Sequence, residues 1–361
     1  MVRLVTEIFT RAGCSRAEAA RVAARLAGAN LRGHDSHGVI RTPRYLGWLD
    51  DGLMVPGRDI SIERETDNIA IIDGNYGFGQ TVGEQTVAIG VTKALAHGVG
   101  VTALKNSGHL GRIGDWAELA AESNVVSIHM VNVRGSLLVA PFGGTERRMG
   151  TSPFCAGIPR PGLPPIVLDF ATSLVAEGKA LVALRGGAPL PEGALIRPDG
   201  SYTSDPSPLY GDIAPGRYAD PGTGPGALCP FGLHKGSGLN FLMEMMAGAL
   251  GGSGTAGAVG EPRRRFCNGM FSLYFAVEAF HGDEWFANEV RSYVEFVKSS
   301  KPIEPGGEVL VPGEKELRTM AARLERGLPL SETAWQDILG GARKVGMGED
   351  DIRRALEGGA G

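Results

Sequence analysis

Long apolar runs are missing from this 361-residue chain. No stretch reaches the roughly 18 apolar residues that a membrane span needs, so a membrane protein is not expected. Cysteine is scarce. Cys14, Cys155, Cys229 and Cys267 are far apart and form no C-x-x-C pair, which argues against a disulfide framework or a metal site and for free thiols in a reducing cytoplasm. No excess of positive charge exists either: 36 Lys and Arg stand against 40 Asp and Glu, a formal net charge of -4, with no basic stripe. Nucleic acid is therefore not an expected partner. The opening MVRLVTEIFTRAG has acid and base at helical spacing and lacks a signal-peptide core.

Glycine (55) and proline (22) are plentiful, interleaved with apolar runs. That pattern fits many turns and close backbone approaches rather than disorder. The length implies two domains. Ser15 to Glu18 reads as a capping box opening a helix whose apolar face is Ala19, Val22, Ala23 and Leu26. Strands are expected over 69–73, 99–104, 125–131, 166–170 and 271–277, and helices over 83–96, 110–123, 235–250, 284–298 and 331–344. The stripe Leu239, Leu242, Met243, Met246 and Leu250 reads as a core face. A Gly/Pro-heavy stretch over 214–226 reads as a surface excursion or lid. Strands and helices mix without a regular βαβ rhythm.

One motif is a decoy. Gly252-Ser253-Gly254-Thr255-Ala256-Gly257 matches G-x-G-x-x-G, but a helix leads into it where a dinucleotide fingerprint needs a strand. A flexible turn is the better reading, and a Rossmann 2-hydroxyacid dehydrogenase is disfavoured.

Chemistry concentrates elsewhere. Ser36-His37-Gly38 precedes Arg41 and Arg44. Reduction of a 2-oxo acid needs a proton donor titrating near the working pH, and histidine is the usual one. It also needs a planar cation to grip the carboxylate by two parallel bonds, which arginine does best. A capped loop histidine beside solvated arginines would look the same. Asn106-Ser107-Gly108-His109 lies between a strand and a helix and supplies a second acid/base candidate, or a structural histidine. The turns at Gly150-Thr151-Ser152-Pro153 and Asp169-Phe170-Ala171-Thr172-Ser173 offer hydroxyls and N–H groups suited to phosphate or ribose, or simply turn chemistry. Lys235 opens a helix, where a cation is unfavourable unless an anion is near, so this is a natural phosphate or carboxylate site, or else a solvated lysine. Pro312-Gly313-Glu314 by itself is a turn.

Taken in order, RGHDSHGVIR, DGNYGFGQTVG, NSGHLGRIGDWAELA, APFGG, GTSP, LDFATS, HKGSGL and PGEKE resemble the malate/L-lactate dehydrogenase-type family of non-Rossmann oxidoreductases. That family includes ureidoglycolate dehydrogenase, 2,3-diketogulonate reductase, sulfolactate dehydrogenase and piperideine-2-carboxylate reductase. The resemblance spans roughly residues 10 to 345. It implies an α/β fold of the α+β type, with a mostly antiparallel central sheet wrapped by helices. It implies a catalytic and dimerisation domain from 1–120 with 280–361, and a cofactor domain over 121–279. It further implies NAD or NADP as cofactor, a small carboxylic-acid substrate and a homodimer or dimer-based oligomer.

Carried over by position, the catalytic residues are Ser36, His37, Arg41 and His109. The cofactor contacts are Ser152, Asp169, Ala171, Thr172, Ser173, Lys235, Pro312, Gly313 and Glu314. Which histidine moves the proton stays open, as does the choice between NAD and NADP, with Arg134, Arg147 and Arg148 able to meet a 2′-phosphate. The family usually has Asn where this chain has Ser152, and the segment from Asp205 to Lys235 is unusually long. The expected activity is interconversion of a 2-hydroxy and a 2-oxo acid. The alternatives are reduction of a cyclic imino acid and a catalytically silent nucleotide-binding member.

Overall fold

Alternation of apolar and polar residues lays down a seven-stranded sheet in the computed structural model, which describes residues 1–184, 186, 188–212, 221–257 and 265–357. Its strands are β1 (Ser61–Glu65), β2 (Ile69–Asp73), β3 (Val99–Ser107), β4 (Val125–Arg134), β5 (Pro153–Ile158) and β6 (Ile166–Ala171), and, after three short strands β7 (Leu195–Ile196), β8 (Tyr202–Thr203) and β9 (Ala227–Leu228), β10 (Cys267–Ala276). The order is β1-β2-β3-β10-β4-β5-β6, and β8-β7-β9 form a separate small sheet. Among the described strands, β2 and β3 pair in parallel and the other neighbours pair antiparallel. The most buried strand of this sheet, β10, takes the centre, while the charged β1 (SIERE) forms an exposed edge, where charge discourages pairing with another chain.

The helices are α1 (Val2–Arg11), α2 (Arg16–Leu31), α3 (Thr42–Asp50), α4 (Gly79–His97), α5 (Gly114–Ala121), α6 (Glu177–Leu184), α7 (Ser207–Tyr210), α8 (His234–Met243), α9 (Asp283–Lys298), α10 (Glu314–Arg326), α11 (Glu332–Lys344) and α12 (Glu349–Glu357). α4 makes the crossover between the parallel strands and lies so close to the sheet that a Cβ on Gly90 would sit 2.1 Å from the Tyr274 ring. Both chain ends share one core: Leu4, Ile8 and Phe9 of α1 and Val22 and Leu26 of α2 pack with Tyr45, Ile338, Ala342 and Ile352. A separate core within the middle of the chain gathers Val139, Met149, Leu195, Leu209, Tyr210 and Leu228.

Several expectations need correction. The hydroxyl of Ser15 does accept the Glu18 N–H, at 3.2 Å, but the Glu18 carboxylate turns to the Gly57 N–H, at 2.8 Å, instead of back to the cap. The stripe on α8 is not a core face: of its five residues only Met243 is buried, and Leu250 is 65% exposed. The helix buries Ser237, Asn240 and Glu244 instead, and over 244–250 it widens into a π-helix, whose extra residue per turn rotates the later positions off the apolar line. Pro43 lies in the first turn of α3, where the missing N–H costs nothing. Of the Gly/Pro-heavy stretch, 213–220 lie outside the described residues. Its end is pinned by the Arg147 guanidinium, which donates to the carbonyls of Leu209, Gly224 and Gly226 at 2.9, 2.7 and 2.6 Å. The decoy glycine motif follows the π-helix and is a turn, with the Gly254 carbonyl accepting from Asn132 at 2.8 Å.

Candidate active site

The loop after α2 is held by a buried asparagine. Asn30 donates to Asp35 at 2.6 Å and accepts the Val39 N–H at 2.8 Å. Arg323 of α10 clamps the same Asp35 carboxylate at 2.6 and 3.0 Å. Gly38 is obligatory here, since a Cβ would fall 2.1 Å from the Asn30 side chain. The short turns that follow carry Ser36, His37 and Arg41, and Arg41 Nε donates to the Ser36 carbonyl at 2.5 Å.

His109, just beyond the end of β3, meets this loop. His37 Nδ1 and His109 Nε2 lie 3.3 Å apart, with the two rings nearly parallel at 8°. His109 is buried; His37 is half-buried and in front of it. Behind His109, Tyr45 Oη is 2.7 Å from Nδ1, and Gln80 Nε2 donates to Tyr45 Oη at 3.0 Å. Trp48 and Phe266, stacked on one another at 4.5 Å, close the side of the site. Tyr45, Gln80, Trp48 and Phe266 are absent from the sequence reading: a buried tyrosine at helical spacing carries no signal until its partner is known.

Burial, then the guanidinium charges of Arg41 and Arg112, push the His37 pKa down to about 3. Burial, Arg41, His37 and Arg44 hold His109 well below the usual histidine range. Both rings are therefore neutral at pH 7. Burial pushes Tyr45 up to about 12 against the hydrogen bond from Gln80.

The expected cofactor segments converge along β6. Thr172 is wholly buried; its hydroxyl donates to the Ser152 carbonyl at 2.8 Å and accepts from Asn240 of α8 at 2.7 Å. Asn240 also donates to the Gly150 carbonyl at 2.8 Å, so α8 ties the two turns together. The Ser152 hydroxyl points inward to Glu244, at 3.4 Å, and Ser173 caps Val175 at 2.8 Å. Glu244 is buried beside Asn132 and the Ala256 N–H, and burial raises its pKa. Asp169 receives the Gly114 N–H at the start of α5, at 2.7 Å, a position where a carboxylate complements the helix dipole. Ala171 ends β6 opposite Pro153. At the other end of β6, Gly313 (φ +92°) lies where a Cβ would be 3.2 Å from the Val167 nitrogen, and Glu314 is engaged by Lys298 Nζ at 2.5 Å and the Val311 N–H at 3.1 Å. With Val167, Arg112 and Arg160, Gly313 lines a cleft of about 510 Å³. Pro312 leads into that turn.

Lys235 is exposed on the first turn of α8 and has no carboxylate partner among the described residues. Leu233 before it holds φ +54° and ψ -106°, a strained conformation of the kind that clusters at ligand sites. Gly236 after it approaches so closely that a Cβ would be 2.3 Å from the Phe231 carbonyl. A helix N-terminus, a lysine and bare backbone fit a pyrophosphate. Beyond Ser173 the chain returns to the histidine loop, since a Cβ on Gly178 would be 2.9 Å from Ser36 Cβ. Of the arginines considered for a 2′-phosphate, Arg147 serves the carbonyls above, Arg148 pairs with Glu146, and Arg134 donates to the Ser253 carbonyl at 3.0 Å.

A family model described as malate/L-lactate dehydrogenase matches residues 1–339. Hydroxycarboxylate dehydrogenase B of Escherichia coli (strain K12) is 36% identical over 97% of this chain and 94% of its own length. Sulfolactate dehydrogenase from Methanocaldococcus jannaschii superposes with a TM-score of 0.83 at 32% identity, covering 97% of each chain. This chain belongs to the malate/L-lactate dehydrogenase family. It is a dehydrogenase acting on the CH–OH of 2-hydroxy acids, interconverting them with 2-oxo acids, and it shares the family's mixed fold. The family implies a nicotinamide cofactor, and the residues around β6 and the α8 N-terminus fit one. Among the described residues no helix is long and apolar enough to cross a membrane, and no cluster of metal-binding side chains occurs.

A second fully buried histidine gives a readable pH signature. His129, on β4, is sealed between Ser272 (2.9 Å) and Ser127 (3.0 Å), and burial pushes its pKa down to about 3. With the folded pKa below the unfolded value of about 6.5, the unfolded state binds more protons between those limits. The stabilisation is complete above pH 6.5 and is lost as pH falls toward 3, by about 1.4 kcal/mol per pH unit per group. Urea midpoints should therefore drop steadily from pH 6.5 to pH 5, and less steeply in His129→Asn. A flat profile in the wild-type protein would refute the neutral buried histidines.

Proposed function

We propose that this enzyme exchanges hydride between NAD or NADP and C2 of a small 2-hydroxy or 2-oxo acid, with His37 as the proton-transfer group and Arg41 as the carboxylate clamp. The observation that carries this reading is the histidine pair at 3.3 Å, its half-exposed member beside Arg41 and its buried member behind. The nicotinamide, when bound, supplies or accepts the hydride. Everything else falls to the chain. Arg41 orients the carboxylate. His37 takes the hydroxyl proton during oxidation and returns it during reduction, with Ser36 orienting it. His109 supports His37 from within. Ser152, Thr172 and Ser173 build the turns that receive the cofactor, Asp169 and Ala171 fix their strand, Lys235 meets phosphate, and the turn from Pro312 to Glu314 bounds the far cleft.

In this reading 1–120 with 280–361 form the catalytic and dimerisation part and 121–279 the cofactor part, sharing the central sheet. A homodimer is supported by the exposed Trp285, Tyr293 and Phe296 on α9, a helix with no buried residue, and by Phe241, Leu242 and Leu250 around α8. A solution mass of one chain in sedimentation would refute it. A cytoplasmic location is supported by four cysteines that are all buried and unpaired; recovery outside the cytosolic fraction would refute that.

The test is turnover of reduced nicotinamide against pyruvate, oxaloacetate, sulfopyruvate, diketogulonate and piperideine-2-carboxylate, each with NADH and NADPH. The imino acid is included because the delta1-piperideine-2-carboxylate reductase from Pseudomonas syringae pvar. tomato shares the fold at a TM-score of 0.77 and 27% identity over 94% of this chain and 97% of its own. Reduction of an oxo acid supports the reading. Turnover of the imino acid alone replaces it, and silence across the panel with cofactor bound favours a nucleotide-binding member without these substrates.

A further inference from the structure

The hydrogen-bonded file behind His37 ends in a residue with an unused group. His37 Nδ1, His109 Nε2, His109 Nδ1, Tyr45 Oη and the Gln80 amide follow one another at 3.3, 2.7 and 3.0 Å. Gln80 Oε1 is buried and has no hydrogen-bond partner among the described residues. Each link has one proton, so the file runs in only one of two directions at a time. If Gln80 Nε2 donates to Tyr45, the tyrosine hydroxyl donates to His109 Nδ1, His109 Nε2–H donates to His37 Nδ1, and the outer His37 Nε2 already holds the proton. Such a ring cannot accept another from a substrate hydroxyl without breaking its bond to His109. Turning the Gln80 amide end for end places Oε1 against Tyr45 and reverses every bond. His37 Nδ1–H then donates to His109, and Nε2 presents its lone pair.

We propose that Tyr45 and Gln80 are positioning residues that hold His109 as the Nδ1–H tautomer, so that His109 Nε2 accepts from His37 and His37 Nε2 is the atom that exchanges the substrate proton. The inference rests on the assignment of His37 as proton-transfer group and deepens it. On oxidation the hydroxyl proton goes to His37 Nε2 and the hydride to the oxidised nicotinamide. The resulting imidazolium keeps its Nδ1–H bond to His109, which stays neutral, as does Tyr45. The second tautomer of His109, not its charge, is what the buried file controls, in the way an orienting partner fixes the imidazole of a hydrolase triad. The charged groups that act on the pair include Arg41, Arg44 and Arg112, all guanidinium cations, and among the described residues no carboxylate hydrogen-bonds either ring.

The variants are Tyr45→Phe, which keeps the ring packed against Phe9 and Phe78, and Gln80→Met, which keeps length and removes both polar ends. Long-range ¹H–¹⁵N spectra of the full-length enzyme read the His109 tautomer, and steady-state kinetics read kcat and KM for the acid that the panel identifies. Expected is an Nδ1–H tautomer in the wild type, its loss in Tyr45→Phe, and a fall in kcat of at least about tenfold with KM little changed in both variants. An Nε2–H tautomer in the wild-type enzyme overturns the proposal. So does unchanged kcat in either folded variant. His37→Ala serves as the reference: if it stays active the proton-transfer assignment itself fails, whereas an inactive His37→Ala beside a fully active Tyr45→Phe removes only the role of the file.

Discussion

His37→Ala should lower kcat in both directions by about 10²–10⁴-fold, the range for loss of a positioned general acid or base, while KM for the acid changes little. The reason lies in the charges around the ring. In the free enzyme burial, and then the guanidinium charges of Arg41 and Arg112, keep His37 neutral, with a pKa of about 3. That suits a base for oxidation. For reduction a proton must be present, and the substrate helps supply it: a carboxylate bound to Arg41 cancels part of the positive field, which raises the proton affinity of His37. Binding of a 2-oxo acid should therefore be accompanied by proton uptake, and kcat/KM for reduction should fall as pH rises. His109→Ala should cost less than His37→Ala, since His109 is buried behind its partner. A larger loss at His109 would exchange the two roles, and a loss of only a few-fold at both would refute a histidine-based proton transfer.

Arg41→Lys should reduce kcat/KM for the carboxylic acid by about 100-fold or more. Two charge-assisted bonds to a carboxylate are worth about 1.5–3 kcal/mol each, and an ammonium can keep the charge but not the parallel pair. A second effect adds to this. Arg41 Nε donates to the Ser36 carbonyl within the same loop, a bond lysine cannot make, so the placement of His37 suffers as well. The loss should therefore appear in kcat and not only in KM. An unchanged kcat/KM in Arg41→Lys, measured on the preferred acid, would refute the clamp. Restoration of activity toward an uncharged substrate analogue would separate carboxylate binding from loop placement.

Much of the sheet is legible in the chain. The expected strand over 69–73 is β2, and the strands over 99–104, 125–131 and 271–277 are the cores of β3, β4 and β10, because a half-buried or central strand writes its burial directly into alternation or apolar density. Ser331 caps α11 through its hydroxyl, at 3.2 Å from the Ala334 N–H, as a serine ahead of an amphipathic run predicts. By contrast, the helix α10 behind Pro312-Gly313-Glu314 has no buried residue and so leaves little apolar period to read. The stripe on α8 misled because apolar spacing identifies a face without saying what covers it.

The residue order alone states which chemistry is possible: two histidines, a guanidinium, hydroxyl-bearing turns and a helix-opening lysine, in an order that resembles one family. It could not determine which of them meet. His37 and His109 are 72 positions apart, and their contact exists only because Asn30 and Arg323 fix one loop while β3 delivers the other. Thr172 and Asn240, 68 positions apart, join only when α8 presents its polar face to the end of β6. Tertiary structure alone decided that His109 is buried and His37 half-exposed, and so gave the two rings different environments. The physical reason is that a buried polar side chain is tolerated only when its partners are supplied, and those partners come from distant parts of the chain whose approach no local pattern encodes.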